Sequence, residues 1–133
     1  MTPEMYELGL RARNAKGFRW MWGMAASAPG WLDDIRVIEV DAAPYLWEYR
    51  GVLRGRHNGD EWDADIVPAM HDAATLGCLM AIVREAWAPE RLVVLQSDDG
   101  QWGMWIRFQP MPVRVVSAAT EAEAIVAALE AAP

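Results

Sequence analysis

One helix-length apolar stripe stands between two strand hairpins in this sequence, and that arrangement restricts the fold more than any other feature. Over residues 73–88, Leu76, Leu79, Met80, Val83 and Trp87 recur at the i, i+3, i+4, i+7, i+11 spacing that lines one side of a helix. Asp72 is the natural cap in front of it and Pro89 the stop behind. Gly77 falls inside the pattern, where it costs ~1 kcal/mol relative to Ala. A glycine in that position predicts close packing of the helix backbone on a strand.

Residues 35–41 form a β-branched run. Over residues 45–53, Tyr45, Trp47, Tyr49 and Leu53 share one face, and Glu48, Arg50 and the following Arg54 the other. The two runs are predicted to pair as a hairpin across Ala42-Ala43-Pro44. Behind the helix, residues 91–97 and 101–108 are joined through Asp98-Asp99-Gly100, a strong hairpin signal. There Trp102, Met104, Ile106 and Phe108 share one face, with Gln101, Gly103, Trp105 and Arg107 on the other. A first helix is predicted from the Thr2 cap, Pro3 in the first turn and Met5, Leu8, Ala12 and Ala15 at helical spacing, with Gly17 as its stop. A last helix opens on the capping box Thr120-Glu121-Ala122-Glu123 and carries Ala122, Ile125, Val126 and Leu129 as its stripe. Between the first helix and the first hairpin, Phe18, Trp20, Trp22 and Met24 alternate as in a short extended segment with one aromatic face.

The resulting order is α-β-β-α-β-β-α. It predicts an α+β protein: three helices on a mostly antiparallel sheet of four to five strands, arranged as an α/β/α sandwich. With 133 residues, 53% of them hydrophobic, the chain is expected to form one domain spanning residues 1–133.

Composition excludes several function classes. No uninterrupted apolar run approaches the roughly 18 residues of a membrane span, and Met1-Thr2-Pro3-Glu4 is not the basic start of a secretory signal. The single cysteine, Cys78, falls within the apolar helix, as a small hydrophobe would in a reducing cytoplasm. A net charge of −7 argues against holding nucleic acid by neutralising phosphates.

The candidates for chemistry each have a structural reading. His57 with Asp60, Glu61, Asp63 and Asp65 has metal-ligand side chains, but the spacing fits neither an EF-hand nor a paired-cysteine frame, so a solvated loop is expected. His71 beside Asp72 suits a helix start better than an acid–base pair. Cys78 lacks a neighbouring base. Walker, dinucleotide-binding, hydrolase and kinase motifs are absent. The expectation is no catalysis, no metal and no cofactor.

What remains is a surplus of aromatics. Eight Trp, three Tyr and two Phe are difficult to bury in a domain this small, and exposed Trp and Arg mark contact surfaces. Trp105 with Arg107 and Arg50 is the leading candidate surface, extended by Arg54. Arg11, Arg13, Lys16 and Arg19 form the basic cluster, where Arg19 beside Trp22 could grip a phosphate or stack a base, although cations at a helix end also suit its dipole.

Three segments carry a family resemblance. Residues 18–24, 73–87 and 120–132 together resemble the phage α-β-α sandwich domain, a family of short bacteriophage and prophage proteins. The likeness runs in order along nearly the whole chain. Its most specific parts are Thr75-Leu76-Gly77-Cys78-Leu79 and Arg84-Glu85-Ala86-Trp87. The sequence departs from the pattern at Gly23, where relatives are expected to carry proline, and in the acidic loop of residues 57–65. The resemblance implies an α-β-α sandwich, a phage or prophage context in a host cytoplasm, and no catalytic residues. The expected function is that of a small accessory binding protein that contacts itself as a homodimer or contacts a host factor. The alternative is a small-ligand binder that holds a nucleotide-like molecule between Arg and Trp side chains.

Overall fold

Each helix starts at a side chain able to satisfy the free N–H groups of its first turn. The computed structural model describes residues 1–40, 43–47, 53–56, 65–87, 92–107 and 112–133. In α1, Pro3–Asn14, the Thr2 hydroxyl accepts from the Met5 N–H. In α2, Ala73–Ala86, the Asp72 carboxylate accepts from the Thr75 N–H. In α3, Glu121–Glu130, Thr120 and Glu123 form the reciprocal capping box. All three caps are the residues the sequence predicts.

Eight strands accompany these helices among the described residues: β1, Ala25–Ser27; β2, Ile35–Val40; β3, Ala43–Trp47; β4, Leu53–Arg56; β5, Val67–Pro68; β6, Leu92–Asp98; β7, Gln101–Arg107; and β8, Pro112–Ala118. Pairing is antiparallel throughout. The α+β class therefore holds, but the strands do not form the expected single sheet of four to five. They divide into a five-stranded sheet, β4-β3-β2-β1-β5, and a three-stranded sheet, β6-β7-β8. The strands on either side of α2 do not pair, because β6 turns back at once on β7.

The expected order α-β-β-α-β-β-α thus gains four strands, each with a local reason. β1 is three small residues, all buried, so it has no alternation to read. β5 contains Pro68, which lies opposite Ala26 at the sheet edge, where its missing N–H breaks no ladder. Leu53 does not continue the strand of Tyr45 but begins the returning β4, opposite Trp47. In β8 an irregularity opposite Met104 and Trp105 inserts an extra residue and breaks the period of two.

The hairpin at residues 98–101 is as predicted, with Asp98 opposite Gln101. Asp99 and Gly100 both have positive φ, 49° and 76°, as a two-residue primed turn requires. Residues 18–24, however, are not an extended segment with one aromatic face. The Met24 N–H donates to the Met21 carbonyl at 3.2 Å, and Gly23 sits at φ 97°. This turn buries Trp20 edge-on to Phe18 and leaves Trp22 67% exposed. Proline, held near −65°, could not take the Gly23 conformation.

One hydrophobic cluster runs from Leu8 and Ala12 of α1 through Met24, Ile35 and Val37 to Leu79, Ile82 and Val83 of α2. It continues through Val93, Met104 and Ile106 to Ile125, Val126 and Leu129 of α3. Helix α3 is central, touching α1, α2 and all three strands of the smaller sheet. Leu79, Met80 and Val83 are buried as predicted. Leu76 and Cys78 are only half-buried against this core, a correction to the buried positions expected of them. None of the helices among the described residues is long and apolar enough to cross a membrane.

Two helix glycines that look equivalent in sequence differ physically. A Cβ on Gly9 would lie 2.9 Å from the Val67 side chain and 3.0 Å from the Pro68 carbonyl oxygen, so the glycine lets α1 close on β5. A Cβ on Gly77 would meet nothing within 4 Å, which overturns the expected close packing of that backbone. Gly9→Ala is predicted to destabilise the protein by about 1–3 kcal/mol through overpacking. Gly77→Ala should stabilise it by up to ~1 kcal/mol through helix propensity. Denaturant midpoints of the two variants should move in opposite directions from wild type.

Candidate functional site

Among the described residues, the smaller sheet has one covered and one open face. Val93, Met104 and Ile106 point under α2 and α3 and are buried. On the other face, strand register places Val94, Trp105 and Arg114 in one row and Gln96, Gly103 and Ser117 in the next. Val94 is 38% exposed, and Gln96, Arg114 and Ser117 are exposed as well.

Trp105 is half-buried on this open face although no helix among the described residues lies over it. Its indole lies across its own strand: a Cβ on Gly103 would come within 3.1 Å of Trp105 Nε1 and 3.2 Å of Arg114 Cδ. The Arg114 guanidinium sits 5.7 Å from the ring centroid, within cation–π range. The indole therefore packs over the Gly103 backbone with the Arg114 guanidinium beside it, an aromatic–arginine pair on the open face.

The arginine in this pair is Arg114, a residue that sequence reasoning missed because β8 itself was not recognised. Arg107 follows Trp105 by two residues in β7, while Arg54 lies in β4 of the other sheet, so the structure does not join Arg54 to Trp105 in one strand row. Arg50 lies outside the described residues. Arg19 pairs with Glu85 at 2.9 Å and ties the 18–20 segment to the end of α2. Trp22, in the turn beside α2, is placed by the five-stranded sheet: the Gly23 N–H donates to the Val37 carbonyl at 2.9 Å. Arg11 pairs with Glu130 at 2.7 Å and Arg13 donates to the Ile66 carbonyl. Three members of the basic cluster therefore join elements of the fold.

A second polar cluster centres on Asp72. It accepts from Thr75 through both N–H and hydroxyl, at 2.8 Å each, and from Arg36 through two nitrogens at 2.7 and 3.0 Å. Arg36 also donates to the Gly23 carbonyl, and the Thr75 hydroxyl accepts from the buried Ala25 N–H. His71 faces Asp34 at 2.9 Å. The carboxylate is thus occupied as a cap, the role its position before α2 predicts, and as an ion pair with Arg36. Of the acidic loop, His57, Asp60, Glu61 and Asp63 lie outside the described residues, and Asp65 is exposed in a turn. Among the described residues no three His, Cys, Asp or Glu side chains converge as a metal site would require.

A groove of about 580 Å³ separates α2 from β6. Leu76, Gly77, Met80 and Arg84 form its helix wall, Val93, Val94 and Leu95 its strand wall, and Trp102 and Glu121 also border it. Gly77 was the sequence signal for this feature, misread as a close contact. Comparison with known proteins matches no family model, no curated protein and no solved structure.

Hydrogen bonds from Arg36, and then from Thr75, hold the Asp72 carboxyl down at about 2 from its ordinary 3.8. A carboxyl whose pKa is depressed on folding stabilises the protein fully above its unfolded pKa and loses that effect as pH falls through the folded value. Asp72 should therefore contribute roughly 1–2 kcal/mol near neutrality, after allowance for solvent screening, and lose it between about pH 4 and pH 2. Asp72→Asn should lower neutral-pH stability and flatten the acid limb of the stability curve, measured by urea unfolding. Burial raises the Cys78 pKa, and its Sγ lies 3.8 Å from the Trp22 carbonyl oxygen. Thiol-reagent labelling of the folded protein should be at least ~10-fold slower than that of the denatured chain.

Proposed function

We propose that this chain is a small accessory protein of phage or prophage origin, a member of the phage α-β-α sandwich group. It works in the host cytoplasm by protein–protein contact and without catalysis. The contact surface is the open face of β6-β7-β8, and the single observation that carries this reading is the Trp105–Arg114 pair over Gly103. Trp and Arg supply much of the energy of protein contacts. Val94 adds an exposed apolar side chain to the same row.

Self-association is the simplest form of this contact. Two copies stacked through this face would bury the indole, and Arg114 would bring a cation into a chain of net charge −7, easing repulsion between copies. The other reading, a nucleotide-like ligand between Arg and Trp, draws support from the α2–β6 groove, which Arg84 and Trp102 border. That groove opens on a strand edge and suits extended chain better than a compact ligand.

Light scattering over a concentration series provides the test. Wild-type mass should rise from 14.9 kDa towards twice that value. Trp105→Ala should weaken association by ~2 kcal/mol, roughly thirty-fold, with an unchanged circular dichroism spectrum. A wild type that stays monomeric at millimolar concentration would overturn the self-association reading.

A further inference from the structure

Among the described residues the two sheets present four edge strands, and three of them carry features that discourage further pairing. β5 is two residues long and contains Pro68. β8 begins at Pro112, carries Arg114 and pairs irregularly with β7. β4 is four residues long with two arginines in its sequence. β6 differs: its seven residues read Leu-Val-Val-Leu-Gln-Ser-Asp, with no proline or lysine and no charge before Asp98, and its pairing with β7 is regular from end to end. Its other edge has no strand partner among the described residues.

That edge, without a strand partner among the described residues, opens into the α2–β6 groove. Three consecutive residues, Val93, Val94 and Leu95, border the groove. Their side chains alternate between the faces of the sheet, so what the groove exposes is the strand's edge. Opposite, Leu76 and Met80 give apolar walls, and Gly77 leaves space beside the helix backbone. Arg84, near the helix end that leads to β6, and Glu121, beside the Trp102 end, give the groove a cationic and an anionic end.

We propose that an extended peptide segment binds here as a fourth strand on β6. Its backbone pairs with the free edge, apolar side chains at alternate positions enter over Gly77, and an acidic residue is held by Arg84. This is strand addition, in which main-chain hydrogen bonds supply affinity and alternate pockets supply selectivity. A second copy of the chain fits less well. Antiparallel two-fold pairing of β6 with β6 would put both α2 helices on the same face of the joined sheet, facing each other across the seam where the groove lies. The proposal does not depend on the Trp105 surface.

Selection from a displayed library of random twelve-residue peptides, with Gly77→Leu as counter-selection, tests it. Enriched sequences should alternate apolar residues and carry Asp or Glu towards one end. A synthetic enriched peptide should lose at least ~10-fold in affinity against Gly77→Leu and against Arg84→Glu. It should bind Trp105→Ala unchanged, and alternate backbone N-methylation of the peptide should abolish binding. Amide exchange in β6 should slow when the peptide is present. Should Gly77→Leu fail to fold, Arg84→Glu and N-methylation carry the same decision. The proposal fails if no sequence is enriched, if N-methylated peptide binds equally, or if binding is lost in Trp105→Ala. It also fails if Gly77→Leu abolishes a concentration-dependent dimer, since the occupant would then be a second copy.

Discussion

Asp72 accepts hydrogen bonds from Arg36 and Thr75, and three separate pieces of chain depend on it. Through Thr75 it starts α2, through Arg36 it holds β2 and the Gly23 turn, and the Thr75 hydroxyl passes the connection to the N–H of Ala25 at the start of β1. β1 is only three residues long, too short to order itself by its own ladder. It is held between β2 and β5 because the polar joint at its end fixes where it begins. The joint is partly exposed on its Arg36 side, so water screens some of its charge energy. Its value lies in geometry, since four donors converge on two oxygens and leave one arrangement that satisfies all of them.

With that corner set, α3 joins the rest. It is apolar around most of its circumference, with Ala122, Ala124, Ile125, Val126, Ala128 and Leu129 all buried. A helix buried so widely needs neighbours on several sides, and it has them in α1, α2 and the smaller sheet. The Trp87 indole N–H donates to the Ala128 carbonyl at 2.9 Å, and Arg11 bonds Glu130, so both ends of the chain's helical layer are tied to this last helix. All of this packing falls on one face of β6-β7-β8, which is why the other face is left open among the described residues.

The sequence was legible wherever a local rule acts alone. Thr2, Asp72 and Thr120 cap helices because a side-chain oxygen beside free N–H groups works in any context, and Asp99-Gly100 turns a hairpin because of its own backbone preference. Legibility failed where the neighbour decides. β1 alternates nothing because both faces are covered, β5 hides behind a proline that an edge tolerates, and β8 loses its period at an irregular pairing. The site suffered in proportion. Trp105 and Gly103 were visible as one face of a strand, but the arginine beside them comes from a strand that the pattern did not disclose. Arg19 and Arg11 looked available for a ligand until Glu85 and Glu130, 66 and 119 residues away, took them up.

The surplus of tryptophan now separates into different uses. Trp20 fills the core, Trp87 packs against it and bonds the α3 backbone, and Trp102 borders the groove; each uses a large apolar body where a small domain lacks area elsewhere. Trp105 differs because nothing in its own sheet requires an aromatic on the open face, and because Gly103 is spent to accommodate it. A glycine inside a strand weakens that strand, so the indole's position comes at a cost to β7 that the fold alone does not recover. That imbalance, in which a strand is weakened to seat a residue pointing away from the core, is the physical reason to look for a partner on this face.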